Sequence, residues 1–369
     1  MERIAFSFRP ADNPAALEAL WRDLETRADG GFFLSWDWLG PWLGEIDTPP
    51  ILLEGRSGDR VVALALLCPV DGGRLSGGAV HLHETGQPDI DSLFIEYNGF
   101  LLDRGLAGAG AEVQCAEALL AEGARRGRAG GWERVVIGGA AESTGAALAG
   151  AAGMALRSGH GMASRGVDLA AIRAGGGGFL PRLSPNTRYQ IRRATRLYEA
   201  RGPLAIAAAP DVPQALDWFE AMGGLHQETW AARGRAGAFG QGIFRGFHRR
   251  LIESGLPRGA VELLRITAGE AVVGYLYNFR HRGTVHYYAS GFAYEDDNKA
   301  RPGLVCHALA IEHHLAGDAA RYDFMAGDGR YKESLGEPGP GISTLVLERP
   351  GMRVSLGNAL RRVRQQLRG

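Results

Sequence analysis

DDNKARPGLVCHAL, residues 296–309, runs from polar to apolar without a break, and the change falls at Arg301-Pro302-Gly303. Proline suits the first position of a helix, where its missing N–H is no loss. The spacing therefore predicts a helix from Pro302 to about Ala316. Just upstream, TVHYYASGF (284–292) alternates as a strand does. Strand, loop and helix in this order decide the reading of the chain as α/β. Lys299 and Arg301 stand at the mouth of the helix, where positive charge opposes the positive end of the helix dipole. Free amides at a helix start attract anions, and Gly303 lets a ligand come close to the backbone. The stretch is then either a plain helix start or a seat for a phosphate or pyrophosphate.

Outward from it the elements repeat a theme. Strands are expected at 260–267, 271–280 and 284–292, with AGE and HRG as their tight turns, then at 321–325 and 342–348. Helices are expected at 211–232 and 241–255, with a strand at 203–208 before them. Ser184-Pro185 opens a further helix, serine as N-cap and proline at the first position. The earlier half gives strands at 3–9, 50–54, 61–68, 132–137 and 163–169, and helices at 13–28, 35–46, 109–126 and 142–152. A basic helix over 355–368 closes the chain. The two halves share an order of elements, which suggests a duplicated α/β unit. The glycine run AGGGGF (174–179) is the expected joint, giving domains 1–173 and 174–369.

Composition narrows the function. With 369 residues, two domains are the default. The formal net charge is zero, which argues against a surface built as a whole for DNA. Cys68, Cys115 and Cys306 are far apart and form no metal-ligand spacing, so no metal and a reducing, cytoplasmic setting are expected. No apolar run is long enough to span a bilayer. Of 41 basic residues only Lys299 and Lys332 are lysines. Lysine can lose its proton and arginine in practice cannot, so a special role for one of them is worth testing.

Candidate chemistry gathers in the second half. In YDFMAGDGRYKESLG (322–336) a strand delivers Asp323, and a glycine-bearing loop leads to Tyr331 and Lys332. Asp323 is a candidate base or a partner for an arginine, and Lys332 a candidate for a carboxylate, a phosphate or an oxyanion. Strand alternation puts His286, Tyr288 and Ser290 on one face and Tyr287 on the other. His286 and Tyr288 are of the right types for a general base and acid, or are core polar groups. Arg188, Arg192 and Arg196 share a helix face, either solvated or holding phosphates of a cofactor, carrier protein or nucleotide-linked substrate. His226 and Trp230 are also four residues apart, as core or pocket aromatics.

SPNTRYQIRRATR, HQETW, VVGYLYNFRHRGTVHYYASGF, KARPGL and YDFMAGDGRYKESLG together resemble the CelD-type and FemAB-like branch of the GNAT (GCN-five-related) acetyltransferase superfamily, over roughly residues 180–340. FFLSWDWLGPWL and EYNGFLL extend the resemblance into the first half. It implies two tandem GNAT-like domains, each a mixed central sheet flanked by helices, and transfer of an acyl group to an amine. It places Lys299, Arg301 and Gly303 at the donor phosphate loop and Ser290 and Gly291 along the pantetheine arm. Asp323, Tyr331 and Lys332 then fall in the active cleft with His286 and Tyr288, and Arg188, Arg192 and Trp230 near the substrates. The donor is expected to be acyl-CoA or an acyl-carrier protein, and the acceptor a primary amine of an amino acid, amino sugar or peptide. The family's donor loop reads Arg/Gln-x-x-Gly-x-Gly/Ala. Here Pro302 removes one N–H from it, which opens the way to a carrier-protein or tRNA-bound donor. Aminoacyl-tRNA-dependent transfer and a non-catalytic module in polysaccharide assembly are the rival readings.

Overall fold

The computed structural model describes residues 3–72, 77–106, 110–127, 130–149, 155–159, 161–327 and 329–348. The basic helix expected over 355–368 lies outside them.

The chain forms two compact units. The first takes it up to Met162 and resumes at Gly341, and the second is Ala163–Pro340. Unit 1 contains β1 (Ala5–Pro10), α1 (Pro14–Glu25), α2 (Trp36–Leu43), β2 (Ile51–Ser57), β3 (Arg60–Val70) and β4 (Ala79–Leu82). It continues with α3 (Pro88–Asp91), β5 (Leu101–Leu102), α4 (Ala111–Arg126), β6 (Arg134–Ala141), α5 (Glu142–Leu148) and β7 (Ala155–Ser158). Then come β8 (Met162–Asp168), α6 (Leu169–Ala174), α7 (Pro185–Glu199), β9 (Leu204–Ala208), α8 (Val212–Ala231) and α9 (Gly242–Gly255). Three strands follow, β10 (Val261–Ala268), β11 (Ala271–His281) and β12 (Thr284–Phe292). The last elements are α10 (Pro302–Ala316), β13 (Arg321–Ala326), α11 (Arg330–Leu335) and β14 (Glu337–Glu348).

The units share one plan. In unit 1, β4 and β6 pair in parallel through Ala79↔Arg134, Val80↔Val135 and His81↔Val136, with α4 as crossover. In unit 2, β12 and β13 pair in parallel through Thr284↔Arg321, Val285↔Tyr322 and His286↔Asp323, with α10 as crossover. An antiparallel strand follows each pair: β14 on β6, and β8 on β13. The division expected at 173/174 is therefore displaced. β8 and α6 put Val167, Leu169 and Ile172 into the core of unit 2. The stretch after Pro340 pairs with β6 of unit 1, from Ile342↔Ala141 to Glu348↔Arg134. Gly175–Gly178 lies inside unit 2, not at its edge.

Local chemistry explains the elements that hold the site. Ser184 caps α7 by accepting from the Thr187 N–H at 3.2 Å, ahead of Pro185. Asp211 caps α8 in the same way through Gln214. Arg282 and Gly283, with φ of 48° and 77°, make the two-residue turn that fixes the register of β11 and β12. Leu264, Leu276, Val305, Ile311, Tyr322 and Phe324 fill the core between this sheet and helices α7 and α10.

Candidate active site

β12 and β13 part beyond His286↔Asp323, where their pairing ends although β12 continues to Phe292. Two irregularities produce the divergence. On β13, Met325 takes φ of 60°, a conformation most side chains avoid, and the Asp323 Oδ1 accepts its N–H at 2.8 Å. On β12 the register passes from Asn278↔Tyr287 to Tyr277↔Ala289, which leaves Tyr288 as the extra residue of a bulge. The expected alternation fails at this bulge. Tyr287 and Ser290 lie on one face, their hydroxyls 2.7 Å apart. His286 stands opposite Phe279, whose ring packs on Tyr288.

His286 and Asp323 are both buried, and Nδ1 lies 3.6 Å from the carboxylate. Lys332, also buried, sits on the short helix α11 that follows the glycine-bearing loop. Its Nζ donates to the carbonyls of Met325 at 3.3 Å and Ala326 at 2.5 Å, so it ties α11 to the end of β13. Tyr331, beside it, stacks on His307 with centroids 5.1 Å apart and shares a hydrogen bond with Tyr287. Burial holds the hydroxyls of Tyr287, Tyr322 and Tyr331 above their usual range, so they stay protonated. His307 bonds Tyr322 through Nδ1 at 3.2 Å. Burial, with Lys332 adding repulsion, pushes it down to about 3 and keeps it neutral. Tyr287 and His307 had no marker in the sequence that set them apart from core residues.

At the start of α10, Arg301 has φ of 43°. Leu304 and Val305 N–H already donate to the Arg301 carbonyl, at 3.1 and 3.3 Å. Pro302 has no N–H, so the Gly303 amide is the one of that turn left without a partner among the described residues. Lys299 and Arg301 are exposed. The Ser290 carbonyl accepts from His226 Nδ1 at 3.0 Å, which fixes the proton on that nitrogen. A Cβ on Gly291 would lie 2.3 Å from the Met222 carbonyl, so glycine there lets α8 pass against β12. Trp230 is half-buried beside His226, with the Arg233 guanidinium over its ring. Arg188 is spent on the carbonyls of Pro181 and Leu183, at 3.1 and 2.6 Å, while Arg192 is exposed.

Among the described residues, Glu262, His313 and His314 bring metal-ligand atoms within 4.8 Å of one another. Arg280 stands 3.7 Å from the Glu262 carboxylate and already supplies positive charge there. No helix of the described residues is long and apolar enough to cross a membrane.

Residues 185–333 match the family model described as an acetyltransferase (GNAT) domain. No curated protein matches the chain in sequence. Solved structures share its fold over nearly the whole length. FemX has TM-score 0.60 at 10% identity, covering 92% of this chain and 96% of its own. The C-terminal domain of a putative lysylphosphatidylglycerol synthetase from Agrobacterium fabrum has TM-score 0.55 at 12% identity, covering 95% of each chain. L-PGS from Bacillus licheniformis has TM-score 0.55 at 11% identity, covering 96% of this chain and 97% of its own. At these identities the likeness is one of fold. Residues 185–333, which carry β12, α10 and β13, match a GNAT acetyltransferase domain, and the protein is an enzyme of acyltransferase type whose mixed α/β fold is shared over nearly its whole length by FemX.

Proposed function

We propose that the protein is an N-acyltransferase of the FemAB-like branch, acting in the cytoplasm. It moves an acyl group from a pantetheine thioester, on coenzyme A or a carrier protein, to a primary amine of an amino acid, amino sugar or peptide. The observation behind this reading is the His286–Asp323 pair, set where β12 and β13 separate. All three cysteines are free thiols, in keeping with a reducing compartment.

In this reading the thioester enters between the two strands. His286 takes a proton from the attacking amine, and Asp323 orients the imidazole and stabilises its charge. The new C–N bond forms as the C–S bond breaks. Backbone N–H groups of the site stabilise the developing oxyanion. Tyr331, kept protonated by its surroundings, gives its proton to the departing thiolate from the opposite face. Lys332 holds the end of β13 and α11 in place. Lys299, Arg301 and the Gly303 amide receive phosphate from the donor.

Mass spectrometry of the protein with a panel of acyl thioesters and amines tests the reading. Acylated amine and free thiol in equal amounts are expected. A second reading, transfer from an aminoacyl-tRNA, draws support from the fold shared with the FemX and lysylphosphatidylglycerol synthetase structures. Product from aminoacyl-tRNA and none from any thioester would replace the first reading by the second.

A further inference from the structure

Between Pro185 and Arg201 the chain places five arginines and one acid, in a protein whose formal net charge is zero. Arg188, Arg192 and Arg196 succeed one another at about 6 Å along the helix axis. With Leu180, Pro185 and Tyr189 they line an open groove of about 640 Å³. The Tyr189 side chain is 56% exposed, the largest apolar group of that face. Arg188 is fixed in place by its two carbonyl partners. The groove mixes cations with apolar surface, as an interface does, and one cation, Arg188, is already held in place.

Tyr198, at the end of α7, is buried next to Glu295 and Tyr294. Arg201 pairs with Glu295 at 2.7 Å, so the end of α7 is anchored to the loop that precedes Arg301. A partner lying on α7 would sit on the helix that this pair ties to the donor loop.

We propose that the arginine face of α7 is the docking surface for an acidic acyl-carrier protein that delivers the acyl thioester. This rests on the acyl-transfer reading above and selects between its two donors. Charge complementarity fixes the sign of the partner. The apolar lining from Leu180, Pro185 and Tyr189 favours a protein helix over RNA. The phosphate seat agrees: one unpartnered amide, that of Gly303, suits the single phosphate of a carrier arm better than a pyrophosphate.

The test uses the full chain and its Arg192→Glu/Arg196→Glu variant. Each is titrated with dye-labelled acyl-carrier protein bearing an octanoyl thioester, and separately with octanoyl-CoA and a tRNA transcript. The native protein is expected to bind the carrier with an affinity that falls as salt rises. The variant should lose at least tenfold in that affinity and keep its octanoyl-CoA binding. The Arg192→Lys/Arg196→Lys variant should bind the carrier nearly as the native protein does, with all three showing the same circular dichroism. Equal carrier binding by native protein and Glu variant overturns the proposal. So does tRNA binding that the Glu substitutions abolish while the carrier is not bound. Octanoyl-CoA bound and used, with the carrier ignored, sinks the docking surface and leaves acyl transfer standing. No thioester bound in any form sinks both.

Discussion

His286 Nδ1 faces the Asp323 carboxylate at 3.6 Å, on the last rung that joins β12 to β13. Asp323 has two attachments, one to each side of the site. One oxygen faces the imidazole, and the other caps the Met325 N–H at the kink that turns β13 away. The same carboxylate thus shapes the cleft and charges it.

Asp323→Asn separates these duties. The amide oxygen still accepts from Met325, so the fold should hold, while the negative charge facing His286 is gone. The expected result is a fall in kcat of about 10²-fold or more, the size usual for a disabled acid–base group, with donor affinity kept. Asp323→Ala also removes the cap and should lower stability by about 1–3 kcal/mol. Equal kcat for the native and Asn forms would remove Asp323 from the chemistry.

Stability should fall with acid in a window set by buried histidines. His307 is pushed down to about 3 and His83 to about 4, each chiefly by burial. Both are neutral in the fold and take a proton near 6.5 once unfolded. The unfolded chain therefore binds more protons below pH 6.5. The stability these residues contribute is complete above that value and is lost as pH drops toward their folded values. Denaturant melts from pH 7.5 to 4 should show this slope. His307→Phe should flatten it, at a cost near neutrality of about 1–3 kcal/mol for the orphaned Tyr322 hydroxyl. An unchanged slope in that variant would assign the acid sensitivity to other groups.

Lys332 is expected to act through position. Its ammonium is engaged with the Met325 and Ala326 carbonyls, and it sits 3.3 Å from where a Cβ on Gly327 would be. Lys332→Met removes the ammonium's bonds to those carbonyls and loosens α11, which carries Tyr331. A lower kcat with a steady KM for the acyl donor is the expected pattern, with melting temperature reduced. Lys332→Arg keeps the charge but brings a wider, planar group to a buried seat, so it should recover only part of the rate. Full activity of the Arg form would mean that the seat accepts the wider group and that the shape of Lys332 is not what positions Tyr331.

Much of this was legible in the sequence because it depends on local rules. Ser184-Pro185 and Arg301-Pro302 marked helix starts, and the turns at Gly269 and Gly283 marked the hairpins. What escaped depends on partners distant along the chain. The bulge at Tyr288 is a matter of register with β11, and it puts Tyr287 beside Ser290 against simple alternation. Arg188 reads as a free cation until Pro181 and Leu183 turn their carbonyls to it. The return of the chain after Pro340 to β6 is a long-range pairing with no local signature. α11 is only six residues long, too short for periodicity to show.

Arg301 offers the sharpest separation of stability from function. It is not a glycine, yet it enters α10 with φ of 43° and ψ of 59°. Such a left-handed conformation costs an ordinary side chain about 1–2 kcal/mol. Its guanidinium is exposed, and its carbonyl, which any residue would supply, accepts from Leu304 and Val305. The side chain is therefore not what holds the turn. Arg301→Gly relieves the strain, though glycine also loosens the unfolded chain, so a net gain of up to about 1 kcal/mol is expected. If the side chain receives donor phosphate, the same substitution should weaken coenzyme A binding about tenfold, the loss of one charge-assisted contact. Arg301→Glu adds repulsion and should weaken it further, with the strain retained. Calorimetry of coenzyme A binding beside thermal melts of all three forms reads both quantities. A more stable glycine variant with undiminished coenzyme A affinity would leave the αL arginine without a donor role and move the phosphate seat away from the start of α10.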